Sequence, residues 1–243
     1  MPMFQRGKYR ARLAGTADDL SACLALRALC FRGDADTPDR DSFDAACHHI
    51  MVEEAASGRL VCCFRLLPFD NGTGIGGSYA AQFYDLEALH AYTGRMVEMG
   101  RFCIHPEVMD ADVLRIAWGA MTEFVDEEGV DLLFGCSSFH GTEAEAFMDA
   151  FALLKERHLA PKRWLPRPKA PKVFRFANRL RFRKPNLKAA MQGMPPLLRT
   201  YLVMGGWVSD HAVVDNDLGT MHVFTGLEIS AVPPARKRLL RAI

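Results

Sequence analysis

The segment Glu98-Met99-Gly100-Arg101-Phe102 sets a carboxylate, a glycine and a guanidinium within five residues. In an extended chain Glu98 and Gly100 share one face and Arg101 takes the other. A charge among apolar neighbours in a strand is costly unless it is paired or used. Glu98 and Arg101 are therefore candidates for proton transfer or for an ion pair at a sheet edge. Asp41 and Asp44 bracket Phe43 just before an apolar run, and alone they read as a solvated loop or Asx turns. Arg27 ends a helical pattern and Arg65 lies inside the run Cys62-Cys63-Phe64-Arg65-Leu66-Leu67. A buried arginine needs a carboxylate partner, and Asp41, Asp44 and Glu98 are the available kind. Such a cluster could organise a pocket for a small zwitterion.

Other motifs carry less. Asn71–Ser78 is glycine-rich but lacks the Lys-Ser/Thr ending of a phosphate loop, and is expected to be a mobile connection. Adjacent His48 and His49 point to opposite faces of a strand and cannot chelate one metal together. Ser137 and Ser138 sit at the end of an apolar run, where capping of the next helix is the plain role. No Gly-x-Ser-x-Gly elbow is present, which argues against a serine hydrolase. The seven cysteines are odd in number, lie mostly in apolar runs and form no CxxC pair. They read as reduced thiols of a cytoplasmic protein, with no metal site expected.

The elements that must position these residues follow from periodicity. Thr16 is placed to cap a helix through Ala17–Phe31, with Leu20, Cys23, Leu24, Arg27 and Phe31 at helical spacing. Two strands, His49–Val52 and Leu60–Leu66, flank a turn at Ala56-Ser57-Gly58. A short helix over Asp85–Tyr92, a strand around Val97–Phe102, a helix over Ala111–Glu127, a strand over Asp131–Gly135 and a helix over Glu143–Leu159 follow. Beyond Pro195-Pro196 come an apolar helix or strand (Leu197–Val208), an acidic turn (Ser209–Asp217) and a last strand (Met221–Leu227). Strands and helices are mixed rather than strictly alternating, so the expected class is α/β (α+β) around a mainly antiparallel sheet.

Charge divides the chain unevenly. The 243 residues carry a formal net charge of +1, but residues 1–156 hold 13 Lys/Arg against 25 Asp/Glu, while residues 157–199 hold 13 Lys/Arg and no acid. Hydrophobic content of 49% with 24% charged residues is globular rather than disordered. No apolar run approaches the roughly 20 residues that span a bilayer, and the N-terminus has no apolar core of a secretory signal. The basic stretch interleaves Trp164, Phe174, Phe176 and Phe182. It suits nucleic acid, an anionic membrane surface or a small acidic protein, although no nucleic-acid motif accompanies it.

In order along the chain stand Arg27-x-x-x-Phe31, Asp41-x-Phe43-Asp44, Arg65 within Phe64-Arg65-Leu66-Leu67-Pro68, and Glu98-x-x-Arg101-Phe102. Over residues 20–105 this pattern resembles the N-acyl-homoserine-lactone synthases, acyltransferases of the GNAT fold. It departs from them at Gly100, where they carry Ser, and in lacking a Trp after Phe31. A resemblance over nearly the whole chain is to the L-ornithine Nα-acyltransferases. It rests on Glu98–Pro106, on Leu133-Phe134-Gly135-Cys136-Ser137-Ser138-Phe139-His140-Gly141-Thr142, on Pro195–Leu202, on Gly206-Trp207-Val208 and on Asp215-x-Asp217.

That resemblance implies a GNAT-like core over 1–159, a basic insertion over 160–199 for a carrier protein or membrane, and a segment over 200–243 completing the core. It implies transfer of a 3-hydroxy fatty acyl group from acyl carrier protein, held as its 4'-phosphopantetheine thioester, to the α-amine of L-ornithine. Glutamine- or lysine-using relatives, a lactone synthase, and a non-enzymatic membrane- or nucleic-acid-binding module remain the alternatives. The implied catalytic residues are Glu98 as base, with Gly100, Arg101 and Phe102 where the thioester carbonyl meets backbone N–H groups between the strands Val97–Cys103 and Asp131–Gly135. Arg27, Phe31, Asp41, Asp44, Arg65, Ser137 and Ser138 are the implied substrate-binding set. Arg175, Arg179, Arg181, Arg183 and Lys184 would meet an acidic carrier protein or the cytoplasmic face of an anionic membrane, with Trp164 and Phe174 as interfacial anchors. No bound cofactor, no metal and no nucleic acid are expected, and the location expected is cytoplasmic with peripheral contact to the inner membrane.

Overall fold

A computed structural model describes residues 4–241. In chain order its elements are β1 (Phe4–Arg6), β2 (Tyr9–Leu13), α1 (Ala17–Arg32), β3 (His48–Glu54), β4 (Leu60–Phe69), β5 (Tyr84–Asp85), β6 (Met96–Ile104), α2 (Ala111–Glu128), β7 (Leu132–His140), α3 (Met148–Arg157), β8 (Arg167–Pro168), β9 (Val173–Phe174), α4 (Phe176–Arg179), α5 (Leu187–Gly193), α6 (Pro196–Val203), β10 (Trp207–Asp215), β11 (Thr220–Glu228) and α7 (Pro234–Arg241). The chain forms two compact units, one of Met1–Pro68, Met99–Val130 and Pro234–Ile243, the other of Phe69–Glu98 and Asp131–Pro233.

In the first unit the strands run in the order β1-β2-β3-β4-β6, with antiparallel pairing from β1 through β4. The hairpin of β3 and β4 is the one expected from the two apolar runs. α1 begins as its sequence dictates: the Thr16 hydroxyl accepts the Asp19 N–H at 3.1 Å, and the Asp19 carboxylate accepts the Thr16 N–H at 3.2 Å. Cys23 and Leu26 of α1 pack with Met51, Cys63 and Cys103 of the sheet. Among the described residues all seven cysteines are free thiols.

The second unit has the antiparallel order β7-β11-β10-β9 and a small β5/β8 pair. Alternation along its strands feeds two apolar layers. Phe139, Met221, Val223, Val208 and Ala212 face α3, α5 and Phe176, while Leu132, Phe134, Phe224, Val213 and Trp207 face Tyr84, Ile75 and Leu89. Each large side chain so buried contributes about 1.5–3 kcal/mol before entropy is counted.

Several expectations are corrected here. The glycine-rich stretch is no mobile connection: Gly72–Gly77 forms a 3-10 turn capped by Asn71, and Ile75 is buried. Glycine is required at 72, because a Cβ there would lie 2.0 Å from the Leu89 carbonyl oxygen. Ser137 and Ser138 do not cap a helix. They lie inside β7, opposite Val223 and His222 of β11. The helix expected over Glu143–Leu159 is a 3-10 turn (Ala144–Phe147) followed by α3. Residues 209–215 are strand rather than turn. A bulge between Val208 and Ala212 breaks their alternation and hid the strand. The basic residues 160–199 supply β9 and bury Phe176, Leu180, Ala190, Met194 and Leu198 in the core.

Candidate functional site

In the first unit, six side chains form a closed ring of alternating charge. Arg27, one turn from the end of α1, donates to Asp39 at 3.0 Å and to Asp44 at 2.6 Å. Arg65 of β4 donates to Asp44 at 2.6 Å and to Asp41 at 2.6 and 2.8 Å. Arg101 of β6 donates to Asp41 at 3.3 Å and closes the ring on Asp39 at 2.9 Å. Within the ring every aspartate thus touches two arginines and every arginine two aspartates, and Arg32 adds a third contact to Asp39 from outside at 3.5 Å. Arg27, Arg65, Asp39 and Asp44 are buried, and the exposed arc is Asp41 with Arg101, at 23% and 10% of their side chains.

The ring explains the ionisation of its members. Burial alone would raise Asp44, but the Arg27 hydrogen bond, the Asp41 N–H and Arg65 outweigh it and hold the carboxyl at about 2. Burial likewise works against Asp39, and the charges of Arg101 and Arg27 keep it below its ordinary value. Arg65 is raised because Asp41 and Asp44 overcome its burial. His49 fastens the loop to β3 through a 3.0 Å contact between Nε2 and the Asp44 carbonyl, and burial lowers its pKa. His48 is exposed on the other face, as the strand period requires.

Arg101 reaches the ring through its backbone. Its φ of 53° is the one positive value at a non-glycine residue among those described. A left-handed residue inside a strand resets the alternation, so the simple two-face placement of Glu98, Gly100 and Arg101 does not hold. Gly100 faces the ring, where a Cβ would meet Arg65 Nε at 3.5 Å, an ordinary contact. Phe31 lies under Arg101 at 5.9 Å, and Phe102 stacks on Phe64 at 5.6 Å.

Glu98, in the second unit, has other partners than those expected of it. Its two carboxylate oxygens each accept a backbone N–H, from Tyr79 and Ala80, both at 2.7 Å. The carboxylate is buried at 4% exposure and pins the turn over Ala80–Gln82. Ser137 is buried, its oxygen accepting the Thr225 hydroxyl at 2.9 Å, while Ser138 is exposed.

The basic residues Arg175, Arg179, Arg181, Arg183 and Lys184 are all exposed. Lys155 of α3 donates to the carbonyls of Leu180 and Arg183, both at 2.9 Å, and Arg183 pairs with Asp149 at 3.2 Å. The patch is therefore fixed to the fold. Trp164 and Phe174, expected as interfacial anchors, are both half-buried, Trp164 against Tyr92 and Phe174 against Phe151. The exposed aromatic is Phe182, at 83%, with the Arg181 guanidinium 4.2 Å from its ring.

The structure brings Arg27, Asp41, Asp44, Arg65 and Arg101 together, as their residue types suggested. Asp39 was missed, since nothing in a loop of five aspartates marks which three turn inward. Among the described residues no group of His, Cys, Asp or Glu is placed to hold a metal ion, and no helix is long and apolar enough to cross a membrane.

Residues 28–119 match the acetyltransferase (GNAT) domain family. An L-ornithine N(alpha)-acyltransferase of Rhodobacter capsulatus is 32% identical over 92% of this chain and 91% of its own length. One of Brucella abortus is 28% identical over 93% and 86%. A solved coenzyme A-dependent acyl-homoserine lactone synthase superposes with a TM-score of 0.50 over 93% of this chain and 82% of its own, at 12% identity, which speaks for a shared fold. An acyltransferase of GNAT-like fold, this chain belongs to the L-ornithine N(alpha)-acyltransferase family.

Proposed function

We propose that the enzyme transfers a 3-hydroxy fatty acyl group from acyl carrier protein to the α-amine of L-ornithine, giving lyso-ornithine lipid. The observation that carries this reading is the 32% identity over 92% of the chain to a protein of that name. In the reaction an N–C bond forms, the thioester C–S bond breaks and the thiolate leaves with a proton. Because a thiolate leaves readily, no covalent enzyme intermediate is needed. The α-amine is largely protonated at neutral pH, so a base must take its proton. Glu98 is that base, directly or through water. Asp41, on the exposed arc of the ring, offers the carboxylate for a cationic group of the amino acid, while Asp44 and Asp39 hold the arginines. The basic patch around Arg175, Arg179, Arg181, Arg183 and Lys184 receives the acidic carrier protein and rests on an anionic membrane face.

The test is product formation. Purified protein is incubated with 3-hydroxyacyl carrier protein and ornithine, glutamine or lysine, and lyso-lipids are read by mass spectrometry. The N-acylated ornithine is expected as the main product, and its kcat is expected to fall about 10²-fold or more in Glu98→Gln with KM far less affected. A product with none of the three amino acids sinks the reading, a preference for glutamine or lysine corrects the acceptor, and full turnover in Glu98→Gln removes the base role.

A further inference from the structure

The second unit buries a set of polar side chains that the proposed mechanism does not use. His211 and His222 sit on neighbouring strands at 0% and 2% exposure. Val213 lies opposite His222, so the two-residue period puts His211, Val213, His222 and Phe224 on one face. The Tyr84 ring covers that face, with centroids 5.2 Å from His211, 5.6 Å from His222 and 5.7 Å from Phe224. Phe83 closes the far side of His222 at 5.0 Å. The bulge in β10 aims His211 here: the Ser209 hydroxyl donates to the His211 carbonyl at 2.7 Å and accepts the Phe224 N–H at 3.0 Å, locking the irregular backbone.

Each imidazole is fixed at Nδ1 and open at Nε2. His211 Nδ1 lies 2.6 Å from Asp210 Oδ1, an acceptor, which makes Nδ1 a donor. His222 Nδ1 lies 3.1 Å from the Tyr84 hydroxyl, which also donates to the His222 carbonyl at 2.8 Å. Burial keeps Tyr84 a neutral phenol and pushes His222 down to about 4, so its ring is neutral at physiological pH. The Nε2 atoms of both rings are buried and have no partner among the described residues. Phenylalanine would fill either position without stranding a polar atom, and stranded polar atoms in an apolar layer are rare. The surrounding layer is Ile75, Leu89, Phe134, Trp207 and Phe224. Ser138, directly across the ladder from His222, is exposed, so the imidazole lies one cross-strand step from an accessible row.

We propose that His211 and His222 are the specificity-determining pair that reads the hydroxyl of the donor's acyl chain. This rests on the reading of the donor as a 3-hydroxyacyl thioester. A hydroxyl carries one donor proton and accepts through its lone pairs, so it can pair with an open Nε2 whether that nitrogen accepts or donates, while the alkyl chain lies against the aromatic layer. A chain lacking the hydroxyl leaves both nitrogens unmet, and that penalty discriminates far better than shape in an apolar pocket.

The experiment compares carrier protein loaded with a 3-hydroxyacyl chain and with an unsubstituted chain of equal length, ornithine being the acceptor. Wild type is expected to prefer the hydroxylated donor in kcat/KM by about 10²-fold or more. His222→Phe and His211→Phe should each reduce that ratio to about tenfold or less, and His222→Gln, which retains an amide donor and acceptor, should restore part of it. Melting curves identify variants that fail to fold, and His222→Gln carries the comparison in that case. Active wild type without a preference, or a preference unchanged in all three variants, overturns the inference alone. Transfer from neither donor overturns the donor reading and this inference with it.

Discussion

The two units handle buried polarity in opposite ways. In the first, Arg27, Asp39, Asp44, Arg65, Asp41 and Arg101 meet one another's needs in a ring of zero net charge. In the second, the His211–His222 pair leaves two ring nitrogens open in an aromatic layer. A closed network fixes geometry: it holds the loop 39–44, the end of α1 and the strands β4 and β6 in one arrangement. An open one costs stability and is retained for what can fill it. A dense cluster of charge is therefore not the same as chemistry on offer, since the ring is largely framework.

The ring is the place to seek the largest effect. Asp44→Ala strips a shared partner from two buried guanidinium groups, and a loss of about 3–5 kcal/mol in urea unfolding is expected. A loss below about 1 kcal/mol would show that water enters and that the network is not closed. Acidification distinguishes His222 from Asp44 next. His222 binds a proton only near pH 4 in the folded chain but near 6.5 when unfolded, so its contribution is complete above 6.5 and lost as pH falls towards 4. That amounts to ~3 kcal/mol by linkage. Asp44, held at about 2, contributes fully above 3.8 and fades only as pH drops towards 2. Stability of His222→Phe should thus be flatter than wild type between pH 6.5 and 4, and parallel slopes would refute the buried neutral imidazole. The smallest effect belongs to the surface: Arg175→Glu with Arg179→Glu and Arg181→Glu should raise KM for the carrier-linked donor several-fold at low salt, with little change at high salt. Salt-independent kinetics would leave that patch without a carrier.

Local rules made much of this legible. The capping box at Thr16, the apolar spacing of α2 and the paired runs of β3 and β4 are dictated by residues near in sequence, and they fold as read. The arginines and two of the three aspartates of the ring were recognisable because a guanidinium inside an apolar run must have a partner. What escaped notice depended on distant neighbours. Asp39 is singled out from its loop only by Arg27 and Arg101. Residues 209–215 look like a polar turn because a bulge interrupts their period, and His211 and His222 look like scattered polar residues until antiparallel pairing sets them side by side. The basic stretch hid its role in the core, since Phe176 turns inward while Phe182, six residues on, stays in solvent.

The left-handed residue in the middle of β6 has a consequence for recombining relatives. Arg101 changes the parity of the strand, so positions before and after it do not count in the same twos. A chimera that crosses over between Glu98 and Cys103 joins halves whose phases need not agree, and a relative lacking the kink would deliver its downstream side chains to the opposite face. Segments exchanged within this family should carry Met96–Ile104 as an indivisible block, with any seam placed in the turns outside it.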